Sequence, residues 1–352
     1  MTEEFIEGEK GHSKVLNTEG LRKPTTMAES RVTTKVRFGG AQINVAHDVE
    51  TNVATIKKAI DWAEENKVDY LVTPEAALSG YYANFANPPE KVNKLQLAER
   101  EVVGYAASKT IGLCLGTMWV EKESNGFLHR DQIRYYNPAG NFEGAYNKVQ
   151  CIAADNVVPG SYLPAGSGIF GTEEYWGHPA NYLMCPKFPQ GKFVVGSLIC
   201  NDAYGENNQG ESIARRALYS YHNRDNPAQL VVHATYGFRG KEIDENLDPD
   251  ILEAIRDWHK RHIQQLSYFC NMNFIVVDAS SNFGGIPSKY DTCTPSGVVI
   301  NGKYETIAPS HGEQFFYYDF QVDLCPSKEI NLGVDLDALD MLEKRNPKPK
   351  ED

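Results

Sequence analysis

Three side chains able to do covalent chemistry stand at the ends or edges of apolar runs. The stretch Phe193-Val194-Val195-Gly196-Ser197-Leu198-Ile199-Cys200-Asn201-Asp202 is short, apolar and rich in Val and Ile, as expected for a strand covered on both faces. Asn201 to Gly210 is polar, and a helical stretch begins near Glu211. Cys200 is therefore expected at the carboxyl end of a strand, before a turn and a helix, where ligands and chemistry collect in α/β sheets. A nucleophilic thiolate needs such an electropositive, partly open place. An inert core cysteine is the competing reading, since free Cys is among the most buried residue types. Glu75 follows a second apolar run, Asp69-Tyr70-Leu71-Val72-Thr73, and Pro74. A carboxylate there is costly to bury unless it is paired or working. Beside a thiol and with little water its pKa rises, which suits it to take the thiol's proton; an N-cap or a surface ion pair is the alternative. Lys148, in Tyr146-Asn147-Lys148-Val149, falls on a strand expected to be largely buried. Pointing inward, its ammonium would stabilise an oxyanion and hold the glutamate and thiol in place. A lysine that snorkels to the surface is the ordinary alternative.

The elements that must position these groups follow from periodicity. Lys35 to Asn44 reads as the first strand, and Val53, Ile56, Ala59, Ile60 and Ala63 recur at helical spacing between about Glu50 and Asn66. A second helix is expected from Pro89 to Lys109, with strands at 112–121 and 128–136. Asn137-Pro138-Ala139-Gly140 then turns the chain into Phe142 to Val149, making a hairpin. Beyond the Cys200 strand and its helix come a strand at 229–235, a long helix from Pro249 to Asn271, a strand at 273–279, and strands at 297–300, 304–307 and 315–322. Strands alternating with helices and interrupted by hairpins imply a mixed α/β sheet with helices outside. Residues 1–34 read as a polar, flexible arm, 35–325 as one domain and 326–352 as a charged tail.

The chain has 352 residues, 41% of them hydrophobic, and a formal net charge of −12. That balance argues against nucleic acid or an anionic membrane as a partner. The seven Cys (114, 151, 185, 200, 270, 293 and 325) lack the paired spacing of a disulfide framework or zinc site. With no apolar leader and no run of membrane-spanning length, a reducing, cytoplasmic setting is expected. Trp258, His259, Arg261 and His262 form no metal-ligand pattern, and Asn282-Phe283-Gly284-Gly285 does not follow the dinucleotide fingerprint.

Taken together, Thr73-Pro74-Glu75, Tyr146-Asn147-Lys148 and Gly196-Ser197-Leu198-Ile199-Cys200-Asn201-Asp202 resemble the nitrilase superfamily of carbon–nitrogen hydrolases. Ala41-Gln42, Asn271 to Asn282 and Thr294-Pro295-Ser296-Gly297-Val298-Val299 resemble further strands of that family, so the likeness covers roughly 36–325. It implies a four-layer αββα sandwich that forms a homodimer or larger homo-oligomer. It also implies Glu75 as general base, Lys148 as electrostatic stabiliser and Cys200 as nucleophile, with the Asn201 N–H in the oxyanion hole. No metal or organic cofactor is implied. The expected substrate is a small amide or N-carbamoyl amide, with a nitrile as the rival and a catalytically silent scaffold subunit as the alternative from another class.

Two departures from the family pattern matter. Many members carry a second glutamate after the lysine; here the nearest carboxylate in Lys148-Val149-Gln150-Cys151-Ile152-Ala153-Ala154-Asp155 is Asp155, either a shorter substitute or a loop residue without a role. After the cysteine, Asn201-Asp202 resembles amidases and carbamoylases more than nitrilases. Ala203-Tyr204, however, stands where carbamoylases place substrate-binding arginines. Tyr81, Tyr82 and Phe85 follow Glu75 and either line a pocket or simply pack. His233 and Tyr236 end the strand after Cys200, where His233 either touches substrate or is a satisfied buried histidine, the reading we favour.

Overall fold

The computed structural model describes residues 32–81, 88–123, 126–148, 181–205, 212–222, 227–237, 249–280 and 292–325. In chain order these form β1 (Thr33–Gln42), α1 (Val49–Glu65), β2 (Tyr70–Val72), α2 (Pro88–Ser108), β3 (Gly112–Glu123), β4 (Gly126–Tyr136) and β5 (Phe142–Asn147). Then come β6 (Asn181–Cys185), β7 (Phe188–Ile199), a 3-10 turn (Cys200–Ala203), α3 (Ile213–His222) and β8 (Leu230–Thr235). They are followed by α4 (Pro249–Phe269), β9 (Phe274–Asp278), β10 (Gly297–Ile300), β11 (Lys303–Ile307) and β12 (Gln314–Asp323).

The strands make two mixed six-stranded sheets, β12-β1-β2-β3-β4-β5 and β11-β10-β9-β8-β7-β6. Strands β1, β2 and β3 are mutually parallel, as are β7, β8 and β9, while hairpins and edge strands pair antiparallel. Alternation puts one apolar set from each sheet into a shared core: Val36, Phe38, Tyr70 and Tyr135 from the first meet Phe193, Val195, Val232 and Ile275 from the second. The opposite face of the first sheet packs under α1 and α2, where Ile56, Ile60, Leu95 and Val102 lie against Ala41, Leu71 and Leu113. The outer face of the second packs under α3 and α4, through Leu218, Tyr221, Ile263 and Leu266. The layers are therefore helix, sheet, sheet, helix.

Local chemistry accounts for the boundaries. Asp48 caps α1 by accepting a hydrogen bond from the Thr51 N–H at 2.8 Å, and Val53, Ile56, Ala59, Ile60 and Ala63 are all buried. Several expectations need correction. Strand β6 lies between Val149 and Phe193, where no element was expected. Strand β7 begins at Phe188 rather than Phe193, because the Pro186-Lys187 turn folds it back on β6. β5 stops at Asn147, so Lys148 follows the strand instead of lying on it. α3 starts at Ile213, and the chain after Cys200 first makes the short 3-10 turn. Among the described residues no helix is long and apolar enough to cross a membrane, and no group of three or more His, Cys, Asp or Glu is placed to hold a metal ion.

Candidate active site

Cys200 opens the 3-10 turn at the carboxyl end of β7, half-buried, with φ +42°. A left-handed backbone at a residue other than Gly costs about 1–3 kcal/mol, and such strain persists where surrounding bonds over-determine it. Those bonds are present. Asp202, fully buried in the same turn, accepts from the Ile199 N–H at 3.1 Å and from the Tyr146 hydroxyl at 2.9 Å. The Asn201 carbonyl accepts from the N–H groups of Tyr204 (3.0 Å) and Gly205 (2.7 Å).

Glu75 sits in the turn that follows β2. The Thr73 hydroxyl accepts the Gly116 N–H at 2.9 Å, the Leu78 N–H donates to the Gly116 carbonyl at 3.1 Å, and the Met118 N–H donates to the Ser79 hydroxyl at 2.7 Å. The turn is thus stapled along β3. The approach is so close that a Cβ on Gly116 would stand 1.9 Å from the Pro74 carbonyl oxygen. This glycine is required for want of space.

Lys148 and Glu75 meet in the interior. The Lys148 ammonium donates to Glu75 Oε1 at 2.6 Å, and both side chains are fully shielded from solvent. The second oxygen, Glu75 Oε2, accepts the Tyr236 N–H at 2.9 Å. The Lys148 ammonium also lies 3.4 Å from Asp131 Oδ2 and 5.8 Å from the centre of the Tyr81 ring. Burial pushes the Glu75 carboxyl well above the usual carboxylate range; the neighbouring Cys200 raises it further, the Lys148 charge pulls it back, and Asp131 adds to the rise. The arrangement can move a proton from thiol to carboxylate beside a fixed positive charge.

The structure brings Glu75, Lys148 and Cys200 together, with Asn201 beside the thiol. Tyr81 is buried and stacks on Tyr236 with ring centres 4.9 Å apart, so both adjoin Lys148 and Glu75. His233 is fully buried, with Nε2 3.3 Å from the Cys200 carbonyl oxygen, and desolvation lowers its pKa to about 3. Tyr82, Phe85 and Asp155 fall outside the described residues. Asp131 was not singled out from sequence, and Asp202 was read only as part of the motif that follows the cysteine. Asp202 acts as the clamp of the nucleophile turn. Asp131 lies buried on β4, whose polar run His129-Arg130-Asp131-Gln132 gave no sequence signal that this carboxylate turns inward.

The site thus presents a left-handed cysteine after a parallel strand and a buried carboxylate–ammonium pair. Residues 35–208 match the family model described as carbon-nitrogen hydrolase. Among solved structures, an amidase from Nesterenkonia sp. superposes with a TM-score of 0.55 over 86% of this chain and 96% of its own, at 18% identity. A variant of the amidase from Nesterenkonia sp. AN1, with acrylamide joined by Michael addition to its active-site cysteine, gives 0.55 over 86% and 99%, at 18% identity. A variant of that amidase in complex with butyramide gives 0.55 over 86% and 96%, at 17% identity. No curated protein sequence matches the chain. Residues 35–208 thus carry a carbon–nitrogen hydrolase domain, and the four layers are the αββα sandwich of the nitrilase fold.

Proposed function

We propose that this hydrolase cleaves the carbon–nitrogen bond of a small amide or N-carbamoyl amide through a thioester on Cys200. The observation that carries the reading is the solvent-free 2.6 Å contact between Lys148 and Glu75, electrostatically coupled to a cysteine held at φ +42°. Glu75 takes the Cys200 proton and the thiolate attacks the carbonyl carbon. Lys148 and the Asn201 N–H stabilise the resulting oxyanion. Glu75 returns the proton to the departing ammonia or amine, leaving the acyl group on sulfur. Glu75 then activates a water that attacks the thioester, releasing acid and regenerating the thiol. The amides joined to or bound by the Nesterenkonia enzyme support an amide as the substrate class here. Tyr81 and Tyr236 are the pocket walls we assign, with residues 35–325 as the hydrolase domain flanked by arm and tail.

A homodimer through the outer helices of the second sheet is part of the same reading. Tyr219 on α3 and Trp258, Tyr268 and Phe269 on α4 are large, apolar and exposed on that layer, more than isolated surface residues require.

Intact-protein mass spectrometry after mixing with small amides, N-carbamoyl compounds and nitriles tests the chemistry, with Cys200→Ala as control. An acyl adduct on wild type alone, accompanied by ammonia release from amides, is expected. Adducts from nitriles only would move the activity to the rival class, and neither adduct nor ammonia across the panel would favour the silent subunit.

A further inference from the structure

We propose that Asp131 is the second carboxylate of the site, a positioning residue that locks the Lys148 ammonium against Glu75 and favours the proton's transfer from Cys200. The inference rests on the reading of Glu75, Lys148 and Cys200 given above. It assigns to β4 a task that the family resemblance would give to a residue following the lysine in the chain.

Strand register forces the juxtaposition. Gln132 on β4 pairs with Asn147 on β5, and the Lys148 N–H donates to the Asp131 carbonyl at 2.8 Å, so the ladder carries one residue past the end of β5. Side chains alternate across a strand, and both Asp131 and Lys148 turn to the side that also holds Glu75. The ammonium then lies 2.6 Å from Glu75 Oε1 and 3.4 Å from Asp131 Oδ2, with all three side chains fully shielded. A lysine with a flexible stem that sits between two buried carboxylates is restrained from both sides.

The charges fit the task. Among the described residues, the groups acting on Glu75 are Lys148 from the end of β5, Asp131 from β4, Cys200 from the end of β7 and the Tyr236 N–H after β8, while the Tyr81 ring lies over the Lys148 ammonium. Two carboxylates around one ammonium leave an excess negative charge in a dry site, where Coulomb interactions are strong. Moving a proton from Cys200 to Glu75 neutralises the carboxylate next to Asp131 and leaves the negative charge on sulfur. Asp131 therefore biases the pair toward thiolate and carboxylic acid.

The test is the pH dependence of Cys200 alkylation by iodoacetamide, followed by mass spectrometry, in wild type, Asp131→Asn, Asp131→Thr and Asp131→Glu. This readout needs no turnover, so it stands even if no amide proves to be a substrate. Both uncharged variants should move the acidic limb to lower pH by about one unit, and Asp131→Glu should return it toward wild type. With any amide that wild type hydrolyses, Asp131→Asn should lower kcat by about tenfold to a hundredfold, with KM little changed. A wild-type limb in Asp131→Asn and Asp131→Thr would overturn the proposal. So would a loss of kcat with an unmoved limb that Asp131→Glu does not restore, since that describes packing alone. Asp131→Thr, a strand-compatible residue, keeps the test open if Asp131→Asn folds poorly.

Discussion

The Tyr146 hydroxyl donates a 2.9 Å hydrogen bond to Asp202 Oδ2, linking the strand that leads to the ammonium with the turn that carries the thiol. Tyr146 lies on β5 of the first sheet and Asp202 in the turn that follows β7 of the second, so this buried contact ties the end of β5 to the nucleophile turn across the inter-sheet core. Tyr146→Phe should cost about 1 kcal/mol of stability, the net value of one such bond, and lower kcat more than it raises KM. Denaturant midpoints and steady-state kinetics on the same preparation check both. Unchanged kcat would mean that the turn holds its shape through its remaining bonds, from the Ile199 N–H to Asp202 and from the Tyr204 and Gly205 N–H groups to the Asn201 carbonyl.

Removing the nucleophile should separate fold from chemistry. Cys200→Ala relieves nothing of the left-handed backbone and leaves the Asp202 clamp in place, so its thermal midpoint should stay within a few degrees of wild type. Turnover should fall by more than about a thousandfold, the scale on which covalent machinery contributes. Residual activity above that level would reassign the nucleophile.

Glu75 makes stability depend on pH in a defined direction. Its folded-state pKa is raised, chiefly by burial, so between the unfolded carboxylate value and the raised one the folded state binds more protons than the unfolded state. Stability from this group is complete below the unfolded pKa and declines as pH climbs through the folded value. Glu75→Gln, which cannot ionise, should match wild type near pH 5 and become the more stable protein toward pH 8 while losing turnover. Urea titrations at several pH values measure the gap; one that narrows with rising pH contradicts the assignment.

The proposed dimer has a direct probe in Phe269, exposed at the end of α4 beside Tyr268. Phe269→Asp should shift the sedimenting species from dimer to monomer without lowering the thermal midpoint of the monomer fold. A wild-type protein that sediments as monomer at micromolar concentration would remove the outer helices as an interface.

Much of this arrangement could be read from residue order because single physical requirements dominate there. Five apolar residues at helical spacing fix α1, and all five are buried. The Val- and Ile-rich run into Cys200 has to be a strand covered on both faces. Glu75 attracts notice since a carboxylate after such a strand needs a partner. β6 escaped because Asn181-Tyr182-Leu183-Met184-Cys185 is a short alternating edge strand, whose existence depends on pairing with β7. Asp131 escaped for a related reason. Its partner Lys148 is opposite only in the folded register, and nothing in the linear spacing predicts that an ammonium will be waiting.

Gly116 carries a consequence for how this site can vary. The Pro74 carbonyl oxygen occupies the space a side chain would need, so the smallest mutation, Gly116→Ala, must lift the turn holding Glu75 away from β3. A scan of every position scored for thiol reactivity would therefore rank a residue with no functional group alongside those that carry the proton. The template for the base is an empty volume, as necessary to the site as any reacting atom.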